Sequence, residues 1–453
     1  MLHASMAFQS GPTTSASAAS STAYPRSTHV RALGIVVWIM MLLVPFWSQT
    51  DWRTRHDNWE TSTDRPVQLA AFLLGGLAQL TAGPQLMLQG ITRFLFQLSG
   101  CLWSIAFVNI LVLSVFSIHP VESALYVCFT ATGFLVAAVA WEDNGQPVSQ
   151  WLGRTGWLIC AYMGILCLRL GWNGITIGGM QHNQVASTFF TALVCFQFLP
   201  RRWRILGTLP VLAVIGCTSS RSTLLTAIVF LALILALRPW RKTMLLWLGL
   251  GIASISLLVA VDHLLQTGIA WAFVDSVLAF SDSARGLQSG FTGRTALWRD
   301  GWVAFLDNPL IGYGFRTRSR IVEDLVSMDE VNAHNGYLNL LLDAGILGAL
   351  PIMGAVVCSA FRFLNWLVFA SVHPEQHSSV DREQGKQLCR IAVALILSSL
   401  VGWVFEPAYL NLGASHTVLL IVILSVSTHG AGYVCGSQVR KSDAKVAVAG
   451  VPC

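Results

Sequence analysis

Three side chains that could carry out chemistry stand in short polar segments beside long apolar runs: Arg221, Arg294 and His334. A guanidinium group stays charged at physiological pH and offers paired hydrogen bonds that match the oxygens of a phosphate. An imidazole, whose pKa is ordinarily about 6.5, can accept a proton from a hydroxyl group at neutral pH. Two such arginines could grip a diphosphate while the histidine acts as a general base.

Each of these residues also has a structural interpretation. Arg221 lies in a short turn between two apolar runs, where it either binds an anion or reaches the membrane surface as an end-of-helix arginine. Arg294 begins a segment with helical periodicity, and free amides at a helix start favour a bound anion. The alternative for Arg294 is an ion pair with Asp300 or Asp275. A lone histidine such as His334 is often a polar residue satisfied within the fold.

Several other polar residues are candidates for substrate contacts. Asn335 and Tyr337 follow the histidine, directly before a long apolar run. Glu406 ends another apolar run without a basic neighbour in sequence, so it could orient an arginine, bind an acceptor or cap a buried network. Alternating arginines at an earlier point in the chain could attract an anionic glycolipid or mark a solvated face: Arg316, Arg318 and Arg320.

The elements that must position these residues are membrane helices. Of the 453 residues, 54% are hydrophobic and only 11% are charged, and the mean hydropathy is +0.61. A soluble domain carries about 25% charged residues. This composition excludes a soluble enzyme, a nucleic-acid-binding protein and a disordered chain, and it predicts an all-α, polytopic membrane protein.

Apolar runs between polar segments predict about twelve transmembrane helices. The distribution of Lys and Arg in short loops predicts that both termini are cytoplasmic. Residues 1–30 are expected to be a disordered tail, 31–261 to hold the first nine spans, 262–336 to form one large outer loop, 337–431 to hold three spans, and 432–453 to be a second tail. The predicted spans are 32–48, 67–83, 97–118, 121–141, 155–171, 185–199, 205–218, 222–237, 243–261, 337–361, 388–406 and 414–431.

The large outer loop contains one strong helical pattern, from Arg294 to Asp307. Its spacing puts four bulky residues on one face, and the following Asn-Pro pair should end the helix. We expect this helix to lie against the outer membrane surface. The four residues are Leu297, Trp298, Trp302 and Phe305.

The motifs of this region resemble those of the O-antigen ligase and polymerase superfamily, the Wzy-C group. They are Gly-Arg-Thr at 293–295, Asn-Pro-Leu-Ile-Gly-Tyr-Gly at 308–314 and His-Asn-Gly-Tyr-Leu at 334–338, followed by Gly345 and Gly348. The polar segment with Ser220-Arg221 and the layout with one large outer loop extend the resemblance. The pair His182-Asn183 departs from the proline-asparagine pair of the family, which leaves it outside the expected core site.

The resemblance implies a glycosyl transfer at the periplasmic face of a bacterial inner membrane. The donor would be a glycan on undecaprenyl diphosphate, and the acceptor a sugar of the lipid A core in a ligase, another lipid-linked repeat in a polymerase, or a Ser or Thr in a protein-modifying enzyme. Arg221 and Arg294 match the family's phosphate-gripping arginines, and His334 its essential histidine. With no nucleophilic carboxylate evident, a single displacement with inversion is favoured, and no cofactor or metal is expected.

Two other classes of protein remain as alternatives. A type-C glycosyltransferase would place catalytic acids in the first outer loop, where Asp51, Asp57, Glu60 and Asp64 lie. A flippase or transporter would show charges in mid-span or broken helices in matched halves, which the sequence does not indicate.

Metal dependence separates the first of these alternatives from the favoured one. Glycosyl transfer by the purified protein should survive excess EDTA, because arginines take the place of the divalent cation at a diphosphate leaving group. Loss of transfer in EDTA that magnesium or manganese restores would favour the type-C interpretation instead.

Overall fold

The computed structural model describes residues 88, 91–92, 95–117, 119–171, 177, 182–218, 220–237, 294–315, 335–372, 379–405 and 415–427. Each regular element in these ranges is a helix, as the composition predicted. The predicted spans 32–48, 67–83 and 243–261 lie outside the described residues, as do the predicted tails.

The helices are numbered here in chain order. They are α1 Leu98–Leu113, followed by a 3₁₀ turn at Ser114–Phe116, α2 Pro120–Leu170, α3 His182–Phe196, α4 Arg201–Cys217, α5 Arg221–Ala236, α6 Arg294–Asp307, α7 Gly336–Val372, α8 Ser379–Gly402 and α9 Ser415–Val426. The remaining predicted spans each overlap one of these helices, and α2 covers both 121–141 and 155–171.

Several of the helices are long and apolar enough to cross a membrane. Among the described residues, four helices meet this condition: Leu98–Phe116, Trp151–Arg169, Gly336–Val368 and Glu383–Gly402. Two shorter apolar helices are Ser123–Leu135 and Arg221–Ala236. With its membrane-protein composition, the chain is therefore a multi-pass membrane protein.

Helices α3 and α8 form the centre of the bundle. Residues 391–396 of α8 are all buried, and so is nearly every residue of α3 from Val185 to Phe196. Aromatic rings from neighbouring helices pack around them, including Phe190 of α3 against Phe230 of α5, with ring centroids 5.8 Å apart. Large apolar side chains on α1 point outward instead, as expected for a surface in contact with lipid.

Helix α7 is broken at Gly345. This residue has φ 59° and ψ −172°, a conformation that residues with a β-carbon essentially do not adopt. Beyond the break the helix continues through Pro351 to Val372. The break leaves backbone groups on both sides without helical partners, which is costly in a membrane protein.

The loop that follows α6 satisfies these backbone groups. On one side of the break, Leu342 and Asp343 accept hydrogen bonds from the amides of Tyr313 and Gly314, at 2.8 and 2.9 Å. On the other side, the amides of Ile346 and Leu347 donate to the carbonyls of Pro309 and Leu310, at 2.8 and 3.1 Å. We call residues 308–315 the insertion loop, because they fill the break in α7.

The insertion loop and the break come too close together for a side chain at either glycine. A β-carbon on Gly312 would lie 2.6 Å from the Gly345 amide nitrogen, and one on Gly345 would overlap the carbonyl group of Leu310. Gly312 also has a positive φ of 66°. Both glycines are therefore required by backbone conformation and by backbone contact.

Gly345→Ala should destabilise the protein by at least about 2 kcal/mol, since the alanine would be strained at this φ and would displace Leu310. The midpoint of thermal unfolding in detergent measures the effect.

Gly354→Ala in the same helix is the matched control. A β-carbon at this position would meet no neighbouring atom within 4 Å, and alanine favours a helix over glycine by about 0.5–1 kcal/mol. Its midpoint should be unchanged or higher. Equal midpoints for the two variants would contradict the importance of the break.

Candidate active site

The start of α7 is fastened to the end of α8. The amide of Gly336 donates to the Trp403 carbonyl at 2.6 Å, and the Tyr337 hydroxyl donates to the Leu400 carbonyl, also at 2.6 Å. The rings of Tyr337 and Trp403 meet edge to face, with centroids 6.0 Å apart. The segment that contains the predicted histidine motif is thus held at a fixed place on the bundle.

Asn335 starts helix α7 by capping it. Its side-chain oxygen Oδ1 accepts hydrogen bonds from the amides of Tyr337 and Leu338, each at 3.0 Å. Asparagine is among the preferred residues at this position because it satisfies amides that have no helical partner. Any contact of the Asn335 side chain with substrate therefore has to be made by its amide nitrogen.

Arg221 lies at the same end of the bundle. It is the first residue of α5. The second turn of α5 packs closely against the end of α8, since a β-carbon on Gly402 would lie 2.6 Å from Thr226 Oγ1. The Arg221 side chain is half-buried. We refer to the end of the bundle formed by Arg221, Asn335 and Trp403 as the site end.

The start of α3 joins this end through a buried hydroxyl network. Ser220, only 2% exposed, donates from Oγ to Asn183 Oδ1 at 2.8 Å. The same hydroxyl oxygen lies 3.0 Å from Thr223 Oγ1. Asn183 is thereby fixed beside the residue that precedes Arg221.

Helix α6 begins at the site end as well. Gly301 packs against Leu338, where its β-carbon would lie 2.9 Å from Leu338 Cδ2, and Phe305 shares a buried cluster with Leu338 and Leu342. Farther along, Pro309 pairs with Ile346. Because residue numbers rise together in both segments, α6 runs parallel to the first turns of α7, and its first residue, Arg294, belongs to the site end.

The site end has a positive electrostatic character. The N-termini of α3, α5, α6 and α7 lie there, and each helix N-terminus carries a partial positive charge, with the first amides of α7 bonded to Trp403 and Asn335. None of these four helices has an acidic residue in its first turn. The arrangement is suited to holding an anionic group.

The structure describes some of the predicted site residues and not others. The backbone of Arg294 is described but its side chain is not, and His334, Glu406, Arg316, Arg318 and Arg320 lie outside the described residues. The described neighbours Asn335 and Phe405 both lie at the site end. The hydroxyl group of Tyr337 is engaged with Leu400, so a substrate contact by this residue would fall to its ring.

One prediction about α6 is wrong. The helix has the predicted bounds, Arg294–Asp307, but its inner face comprises Leu297, Trp298 and Phe305 without Trp302. Trp302 is 49% exposed, because its position in the helical turn points away from α7.

The sequence analysis missed three polar residues near the site. Asn183 was set aside because its neighbour differs from the family pattern, yet its contact with Ser220 brings it beside Arg221. Asn339 and Asp343 are 0% and 1% exposed and follow Asn335 at four-residue intervals along one face of α7. Asp343 lies within the predicted span 337–361, so the expectation that no charge stands inside a span is wrong. This acidic residue was the available signal, since charged residues within a membrane are usually functional.

Comparison with known families agrees with the motifs. Residues 206–353 match the family described as O-antigen ligase, Wzy-C, a range that runs from α4 into α7 and includes Arg221, Arg294, His334 and Gly345. This match supports the predicted membership of the O-antigen ligase/Wzy-C superfamily. Members of this superfamily are glycosyltransferase-like ligases and polymerases that act on polyprenyl-linked glycans and lipid acceptors. The sequence has no significant match among curated proteins.

The hydroxyl network can be tested by its effect on stability. Ser220→Ala should lower the free energy of unfolding by about 1 kcal/mol, because it removes a buried hydrogen bond between two helix starts. Ser187→Ala on α3 is the matched control, since the Ser187 hydroxyl donates within its own helix, to the Gln184 carbonyl at 3.1 Å. Equal effects of the two variants on thermal unfolding would show that the link between the helices contributes nothing.

Proposed function

We propose that the protein transfers O-antigen polysaccharide from undecaprenyl diphosphate to a sugar of the lipid A core. The observation that carries the proposal is that four helices begin at one end of the bundle, the end that holds Arg221 and Asn335. Lipid diphosphates supply the anion that such an arrangement favours. The family match supports the same class of substrate.

In this mechanism His334 is the general base. It takes the proton of the acceptor hydroxyl group while the hydroxyl oxygen attacks the anomeric carbon of the donor sugar. The bond between that carbon and the diphosphate oxygen breaks, and its electron pair stays on the diphosphate. A single displacement of this kind inverts the configuration at the anomeric carbon.

Arg221 and Arg294 stabilise the diphosphate as it leaves. Negative charge grows on its oxygens in the transition state, and fixed guanidinium groups in a site poor in water bind that charge strongly. Helix starts add free amides for the same charge. This proposal requires neither a metal ion nor a cofactor, and it assigns Asn335, Tyr337, Glu406, Arg316 and Arg318 to contacts with the substrates.

The proposed topology follows from the same function. About twelve spans cross the bacterial inner membrane with both termini in the cytoplasm, and the outer loop 262–336 contributes the catalytic residues at the periplasmic face. A site end on that face gives access to donor and acceptor, both of which are lipid-anchored. Four helices of the necessary length and apolarity support a multi-pass arrangement.

The lipopolysaccharide of a deletion strain tests the proposal. Without the protein, cells should make core-only lipopolysaccharide and accumulate polymer on the carrier lipid, and the wild-type chain should restore the full ladder. Single-repeat caps in the deletion strain would assign the chain to the polymerases.

Complementation with variants tests the residues. His334→Ala should give no ladder at normal membrane levels, and Arg221→Lys and Arg294→Lys should lose most of it, because an ammonium group cannot form paired hydrogen bonds to phosphate. Arg390→Lys is the control, as Arg390 pairs with Glu383 at 2.9 Å on α8, away from the site end. A full ladder from His334→Ala would remove the histidine from the mechanism.

A further inference from the structure

Helix α6 has a second apolar face, opposite the one that packs on α7. Its side chains are 49–58% exposed: Trp302, Val303, Leu306 and Leu310, the last belonging to the insertion loop. Arg299, with 79% of its side chain exposed, stands at the start of this row and pairs with Asp300 at 3.3 Å. We call these five residues, Arg299 included, the outer stripe.

We propose that the outer stripe is embedded in the lipid leaflet at the site end, so that α6 enters the membrane with its C-terminus and does not lie flat on the surface. The occupant of the stripe is bilayer lipid. This inference concerns a surface apart from the proposed catalytic residues and depends only on the chain being a membrane protein.

The direction of α6 is the first argument. Gly301 lies against Leu338, and the carbonyls of Pro309 and Leu310 accept from the amides of Ile346 and Leu347. The two residues of each pair are 37 positions apart in sequence, so α6 and the insertion loop run parallel to α7 and in the same direction. Since α7 is a membrane-spanning candidate, its neighbour descends into the same layer.

Depth along α7 supplies the second argument. At the other end of the bundle, Arg362 bonds to Ser99 at 3.3 Å and lies over the Trp366 ring, 5.3 Å from its centroid, which marks the opposite polar boundary. From Arg362 to Gly345 the helix rises about 25 Å, against a hydrocarbon thickness of about 30 Å. Leu310, beside the break, therefore lies within hydrocarbon, about 5 Å below its boundary.

The order of side chains along the stripe agrees with this depth. Leu310 and Leu306 come deepest. Trp302 lies about one turn higher, at the membrane–water interface, where tryptophan is enriched in membrane proteins. Arg299 reaches the headgroups. By the same register with α7, the exposed Asp307 is level with Ala344, about 3 Å below the hydrocarbon boundary. Its charge limits how deep α6 can enter.

The third argument is that most backbone groups of the insertion loop have hydrogen-bond partners in the protein. Irregular backbone at membrane depth requires hydrogen-bond partners from protein, and this loop obtains them from the break in α7. Side chains add more: Asn308 donates to the Gly312 carbonyl at 2.6 Å, and Ser117 to the Tyr313 carbonyl at 3.1 Å. A loop in water would have no need of this arrangement.

Continuity with the lipid-facing surface is the last argument. Leu310 is bonded through its carbonyl to Leu347, which is 46% exposed, and Leu350 on the next turn of α7 is 65% exposed. The outer stripe therefore extends the apolar outside of α7 without interruption. The same hydrocarbon that covers α7 covers the stripe.

Two labelling reactions on the wild-type protein in lipid nanodiscs test the proposal. Carbenes from a phosphatidylcholine with a diazirine on its acyl chain should modify the peptide 302–310, as they should Leu350. Hydroxyl radicals generated in water should oxidise Trp302 far less than in the denatured protein and should leave Trp103, which is 0% exposed, unmodified. The denatured protein, in which both tryptophans are oxidised, is the positive control.

Each other outcome overturns the proposal. Oxidation of Trp302 without carbene labelling would place the stripe in water. Protection from both reagents would mean that protein covers it, either a second copy or another segment of this chain. Neither reaction depends on glycosyl transfer, so a failure of the proposed function leaves this test unaffected.

Discussion

The arrangement of the protein around its site depends on one constraint: a helix broken inside a membrane protein must recover its backbone hydrogen bonds from other parts of the chain. The break at Gly345 recovers them from the insertion loop, in four backbone bonds. This contact fixes the loop, the loop fixes the end of α6, and α6 fixes the place of its own first residue, Arg294. An arginine from the segment between α5 and α7 is thereby tied to the helix that starts directly after the histidine.

The site end also shows how a membrane protein can create positive potential with few charged residues. Four helices begin there without an acidic residue in the first turn, and α7 is capped by a neutral side chain, Asn335. The Tyr313 hydroxyl donates to the Ala304 carbonyl at 2.7 Å. In the part of the chain that the structure describes, neutral donors thus supply these contacts.

The sequence predicts the helical class and the bounds of α6 because hydropathy and periodicity are local signals. It also identifies Arg221 and Gly345 through motifs. The structure adds the contacts between helices, which the motifs do not specify. The partnership of Gly312 with Gly345 could not be predicted from periodicity, because it depends on two backbones meeting across a break. Trp302 was assigned to the wrong face for a related reason: both faces of α6 are apolar, and only contact with α7 distinguishes them. Asn183 needed the tertiary contact with Ser220 before it could be connected to Arg221.

The pairing of the insertion loop with α7 has a consequence for the order of assembly. The ribosome completes residues 308–315 before it synthesises Ile346 and Leu347, whose amides bond to the carbonyls of Pro309 and Leu310. During that interval the loop cannot lie at membrane depth, because its polar backbone groups would lack hydrogen-bond partners there. Helix α6 must therefore stay outside the bilayer until α7 has been inserted. The two helices then pack together in a late step of biogenesis.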